Sequence, residues 1–152
     1  MRVRSNRLGL LEYAVEDILT FPHGMVGFPE YKQFILHEDA DLEPFKWLVS
    51  LESADLSFFV VDPFLFFPDY EVGLETVRGL VDSASELEVI RVYVIVTIHE
   101  DFIRSSANLL GPVVVNSQTR KGRQLVLDDP RYSTRHPLFS NLLNDMAKVE
   151  TG

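Results

Sequence analysis

The sequence predicts a mainly β domain, either a compact β-barrel or a strongly twisted sandwich, with two short helices. Three observations point there. The 152 residues include 11 Phe, 5 Tyr and 1 Trp, and large aromatics suit pleated, half-buried surfaces. Short apolar or alternating runs recur along the chain, punctuated by Gly and Pro turns. One run, EVIRVYVIVTIHE (88–100), is β-branched almost throughout and long enough to cross the middle of a sheet. The length suits one domain with its own core, so residues 1–152 are read as a single unit.

In chain order, LGLLEYA (8–14) and ILTF (18–21) are short extended runs with acidic residues between them. FPHGMVGFPEY (21–31) follows as a loop, in which Pro22, Gly24, Gly27 and Pro29 set successive turns between Phe21 and Phe28. KQFILH (32–37) resumes as a strand and runs into the acidic loop EDADLEP. FKWLVSLES (45–53) alternates well enough for a strand with one wet face, and LSFFVVDP (56–63) is an apolar strand ended by Pro63. FLFFPDYEV (64–72) is too aromatic and proline-broken for a helix and is expected to lie extended against the core. GLETVRGLVDSASEL (73–87) carries Leu74, Val77, Leu80 and Val81 at helical spacing. After the long strand, GPVVVN (111–116) and QLVL (124–127) are expected to pair, with Arg120, Lys121 and Arg123 on the connecting tip and Gly122 in a positive-φ turn. HPLFSNLLNDMAKV is predicted to form a terminal helix over about 137–148, with Pro137 near its start.

Composition excludes several functions. There is no cysteine, so disulfides, thiolate catalysis and cysteine-bound zinc are absent. The net charge of −9 disfavours direct binding to nucleic acid and favours encounter with a basic partner. LHED and IHED place a His before two carboxylates at strand ends, but neighbouring residues on extended chain point to opposite faces and do not converge on a metal. Neither Ser50 nor Ser57 sits on a Gly-flanked elbow, and TRKGRQ lacks the spacing of a phosphate loop. MRVRSNR could open a signal peptide, but Glu12, Glu16 and Asp17 interrupt the apolar segment that would have to follow. No run reaches the apolar length of a membrane span. The expectation is a cytoplasmic, non-enzymatic protein with no cofactor and no metal; the competing reading is a barrel whose aromatic interior holds a small apolar ligand.

Five segments carry a resemblance. LTFPHGMVGFPEYKQFIL, PFKWLVSLESADLSFFVVDP, FPDYEV, ANLLGPVVVN and RKGRQLVLDDPRYSTRHPL occur in the order and spacing that resemble the flagellar assembly factor FliW family, over about Val15 to Leu138. That resemblance implies a β-barrel-like regulator that binds flagellin in the bacterial cytoplasm and antagonises CsrA, an RNA-binding repressor of flagellin translation. It implies partner-binding roles for Phe21, Pro22, Gly27, Phe28, Asp69, Tyr70, Glu71, Asn108, Leu109 and Asn116. The chain departs from the family pattern at Val26, where proline is usual, and at His99, Glu100 and Gly111. Loss of the proline ring at 26 is expected to loosen the first loop.

Overall fold

A computed structural model describes residues 1–73, 77 and 88–140. Within them the chain forms eleven strands: β1 (Arg2–Ser5), β2 (Gly9–Glu12), β3 (Leu19–Thr20), β4 (Gln33–Glu38), β5 (Lys46–Ser50), β6 (Ser57–Val61), β7 (Ile90–Thr97), β8 (Ser106–Ala107), β9 (Val113–Asn116), β10 (Lys121–Gln124) and β11 (His136–Pro137). β1 and β2 make a separate hairpin. The other nine run in the order β11-β8-β7-β6-β5-β4-β3-β10-β9, and β9 also pairs with β7. That last pairing closes seven strands into a barrel, leaving β8 and β11 as a flap on its side.

Directly opposed residues in an antiparallel register share a face, so the pairings separate two layers. Leu19 faces Phe34, Leu36 faces Leu48, Leu48 faces Phe58, Val60 faces Ile95, and Tyr93 faces Val113. These side chains, with Phe21, Met25 and Val115, fill the barrel. On the outer face Ile35, Trp47, Val49, Phe59, Val61, Val94 and Val96 form a second core. It is covered by Leu11 of the hairpin, by Phe45, Phe66 and Tyr70, and by Leu138. Both faces of β5 and β6 are therefore apolar, as the apolar run SFFVV suggested, but the wet face expected for FKWLVSLES is not found, because Trp47, Leu48, Val49 and Ser50 are all buried. Val113 and Val115 point inward while Val114 packs outward with Val77 and Leu125.

β7 matches the predicted long strand, and FLFFPDYEV does lie against the core, though a 3₁₀ turn at Pro63–Leu65 interrupts it. MRVRSNR supplies β1, an edge strand that the sequence pattern did not reveal. Three further expectations need correction. Of the basic residues only Arg120 lies in the hairpin turn: Lys121–Gln124 is itself β10, running against Asn116–Val113, and the pairing continues with Leu125 N–H on Pro112 O at 2.8 Å. The positive φ belongs to Arg120 (59°), not Gly122. Pro137 lies in β11, paired with Ser106, rather than opening a helix. The remainder of the predicted terminal helix, and all but Val77 of the helical pattern at 74–87, lie outside the described residues.

Gly122 is required by close approach. A Cβ there would sit 2.5 Å from Cε1 and 2.7 Å from Cζ of Phe21, a ring with no solvent exposure. Gly122→Ala should cost about 1–3 kcal/mol by overpacking. Phe21→Leu should relieve part of that cost, so the two substitutions should be non-additive in a denaturant double-mutant cycle. Strict additivity would remove this contact from the packing.

Candidate partner-binding surface

The ten residues singled out from sequence fall into three places. The first is one end of the barrel, closed by the loop 21–31. Phe21 N–H donates to Lys32 O at 2.7 Å, and the Phe21 and Met25 side chains drop into the interior. Met25 and Phe28 exchange backbone hydrogen bonds of 3.3 and 2.8 Å, leaving Val26 and Gly27 at the tip. Gly27 is at φ 86°, a left-handed conformation that disfavours a side chain. Phe28 stays 37% exposed with its ring edge-on to Phe58 at 5.9 Å, and Pro22 is exposed beside it in sequence. The loop is thus a plug whose inner residues are core and whose outer residues form a small apolar rim.

Gln124 ties that plug to the segment 108–112. Its Oε1 accepts the Val26 N–H at 2.8 Å and its Nε2 donates to Gly111 O at 3.0 Å. The expectation of a looser loop at Val26 overlooked this bond, which proline cannot make. Gly111 adjoins the same side chain: a Cβ there would lie 2.9 Å from Gln124 Nε2 and 2.7 Å from Asn108 Nδ2. Two departures from the family pattern therefore meet at one glutamine. Asn108 shapes the turn, its Oδ1 accepting from Leu110 N–H at 3.2 Å.

The second place is on the outer layer, where FPDYEV, ANLLGP and DDPRY converge. Tyr70 is buried, and its hydroxyl donates to Leu109 O at 2.5 Å. Tyr132 packs edge-on against Tyr70 at 4.9 Å and its hydroxyl accepts Glu71 N–H at 3.0 Å. Arg131 holds Asp129 at 2.7 Å and Glu71 at 3.2 Å, and stacks over Tyr132 at 5.1 Å. Leu109 is fully buried, whereas Asp69 and Glu71 are exposed. The hydrogen-bonded Arg131 beside Asp129 holds that carboxyl below its usual range. Tyr132, Arg131 and Gln124 are the residues that sequence reasoning missed, although all three lie in the quoted segment RKGRQLVLDDPRYSTRHPL.

The third place is the opposite barrel end. Asn116 is buried, and its Oδ1 accepts from Gln118 N–H at 2.9 Å and Thr119 N–H at 3.1 Å, building the β9–β10 turn. Phe21, Leu109 and Asn116 thus shape the molecule from within, and Pro22, Gly27, Phe28, Asp69 and Glu71 stand on its surface.

The residues 2–138 match the family model described as FliW protein. The chain belongs to the FliW family. It is 41% identical over 140 residues to the flagellar assembly factor FliW of Desulfitobacterium hafniense (strain Y51), covering 92% of each chain. It is 40% identical over 148 residues to the FliW protein of Caldicellulosiruptor saccharolyticus, covering 96% of this chain and 95% of that one. The fold is similar to a crystal structure of the flagellar assembly factor FliW, with a TM-score of 0.82, 34% identity and coverage of 91% of this chain and 97% of that one. The FliW assignment carries a role in flagellar assembly. Among the described residues no helix is long and apolar enough to cross a membrane, and no three His, Asp or Glu side chains gather as metal ligands.

The acidic segments differ in how far they are already engaged. Glu38 and Glu43 share Lys46 at 3.5 and 3.4 Å, Glu71 holds Arg131, and Asp101 holds Arg104 at 3.4 Å. Among the described residues Asp41, Asp69 and Glu100 have no ion-pair partner, and all three are exposed.

Removing the Tyr70 hydroxyl leaves the Leu109 carbonyl buried without its partner, so Tyr70→Phe should cost about 1–3 kcal/mol. Burial, reinforced by negative charge at Tyr132 and Asp129, holds the Tyr70 proton well above the ordinary range. Unfolded, Tyr70 ionises near pH ~10; folded, it keeps its proton beyond that. The folded state then binds more protons and stability falls as pH rises above about 10. Denaturant midpoints from pH 8 to 11 should show that fall, and Tyr70→Phe should make it shallower. The Gln124 bridge gives a second expectation. Gln124→Ala should cost about 1 kcal/mol in the native background and distinctly less in Val26→Pro, where one of the two bonds is already gone; equal costs would exclude the coupling.

Proposed function

We propose that this chain acts in the cytoplasm as a regulator of flagellin synthesis, binding flagellin and binding and antagonising the translational repressor CsrA. The observation that carries the reading is membership of the FliW family over nearly the whole chain. Charge supports the CsrA half. A chain of net charge −9, in which exposed Asp41, Asp69 and Glu100 have no ion pair among the described residues, is suited to a basic RNA-binding protein. Released by flagellin export, the protein sequesters the repressor and translation resumes. The exposed rim of Pro22, Val26 and Phe28 beside the Gln124 bridge is the apolar surface we assign to partner contact, with Asp69 and Glu71 as a charged one.

The competing reading, an apolar ligand within the barrel, meets a packed interior. Leu19, Phe34, Leu48, Val60 and Val113 are each no more than 1% exposed and occupy the centre of the barrel. The clefts of the described residues lie at the barrel mouths and flanks instead.

Surface plasmon resonance with purified flagellin and purified CsrA tests the proposal. Binding to both is expected, with association to CsrA slowing as salt rises, because exposed charges are screened within about 10 Å at 0.1 M. Asp41→Asn/Asp69→Asn/Glu100→Gln should slow that association several-fold at low salt while leaving stability within about 0.5 kcal/mol. Absence of binding to either protein would overturn the reading.

A further inference from the structure

The flap beside the barrel carries a cleft of about 440 Å³. Its floor is a row across three strands: Thr97 of β7 opposes Ser106 of β8, which opposes Pro137 of β11. The alternate residues Val96 and Ala107 are core, so the row faces away from the core. Ile98, His99, Arg104 and Arg135 form the rim. Among the described residues no carboxylate lines the cleft, in a chain with 23 Asp and Glu against 14 Lys and Arg.

The rim is ordered by its own backbone. His99 N–H donates to Ser105 Oγ at 3.0 Å, Asp101 N–H to His99 Nδ1 at 3.0 Å, Arg104 N–H to Asp101 O at 2.9 Å, and Ser105 N–H to Phe102 O at 3.0 Å. Arg104 meets Asp101 through Nε, leaving its two terminal nitrogens for another partner. Among the described residues Arg135 has no ion pair, and the Thr97 and Ser106 hydroxyls make no hydrogen bond.

We infer that this cleft binds an extended acidic peptide segment, with Asp or Glu carboxylates on Arg104 and Arg135. Planar guanidinium forks suit carboxylates. Phosphate sites draw on converging backbone N–H groups, and here those four donors are spent within the loop. The Thr97–Ser106–Pro137 row spans roughly 10 Å, about three residues of extended chain. Carboxylates two residues apart lie on one face of such a segment, and Ile98 and Pro137 meet its aliphatic parts. The inference does not rest on the proposed regulatory role.

Titrating the ¹⁵N-labelled full chain with Ac-Glu-Val-Glu-amide at low ionic strength tests it. Saturable shifts should concentrate at 97–106 and 135–137, weaken as salt rises, and be absent with Ac-Gln-Val-Gln-amide. R104Q/R135Q changes two exposed side chains; its spectrum should otherwise match the parent while affinity falls at least tenfold. The inference is overturned if the glutamine peptide binds equally, if the double variant keeps its affinity, if the shifts are missing or map elsewhere, or if inorganic phosphate binds the cleft more tightly than the acidic peptide.

Discussion

The fold depends on a seam two residues long. β3 contributes only Leu19 and Thr20, yet it joins β4 on one side and β10 on the other. The parallel junction is a single pair, Thr20 with Lys121, held by Thr20 N–H on Arg120 O at 2.9 Å. One such bond contributes about 1 kcal/mol net, too little to close a barrel alone. The rest comes from side chains at the same point. The Phe21 ring lies against the bare Cα of Gly122, and Arg120 turns its Nη2 onto Asp17 O at 3.0 Å. Arg120 does so from a left-handed backbone conformation that costs roughly 1–2 kcal/mol, so a local strain is retained where distant parts of the chain are joined.

β7 supports a second device. Its residues 90–93 pair with β9 and 96–97 pair with β8, so β8 and β9 form one interrupted strand along it. Between the pairs Tyr93–Val113 and Val96–Ala107, β7 advances three residues while the opposing chain advances six. The surplus is the NLLGP turn. It sends Leu109 into the outer core and aims its carbonyl at Tyr70, while Gly111 meets Gln124 on the barrel side. The plug loop, the interrupted strand and the Tyr70–Tyr132 joint are therefore mechanically continuous, although their residues are up to about a hundred positions apart in sequence.

Strand identity was legible where one physical signal dominated. β7 is β-branched almost throughout, and β5 and β6 end at turn residues, so their composition alone placed them. Gly122 shows the limit: a glycine after basic residues fits a tight turn as well as a strand, and only the Phe21 ring, a hundred positions earlier, selects the strand. The partner residues were legible as motifs but not as roles. Phe21 and Phe28 are both aromatic members of one loop, yet one is fully buried and the other faces solvent. That difference is set by which side of the Met25–Phe28 turn each occupies, information that residue type does not contain. Tyr132 and Gln124 were missed because their work is a hydrogen bond to backbone far away in sequence.

The distribution of charge carries the last step. Acidic residues are spread over loops at 38–43, 69–71 and 100–101, and several are matched by a neighbouring cation: Lys46, Arg131 and Arg104. Lys46 and Arg131 do not create a positive surface, since each is consumed at its own acidic cluster, whereas Arg104 meets Asp101 through Nε and keeps its terminal nitrogens for another partner. Arg135 is different, because among the described residues it faces the Thr97–Ser106–Pro137 row without a carboxylate. A uniformly acidic protein repels acidic partners at long range, yet repulsion fades over a Debye length, and within the cleft the nearest charges are guanidinium groups. A net charge of −9 is thus compatible with a short-range carboxylate site on the flap.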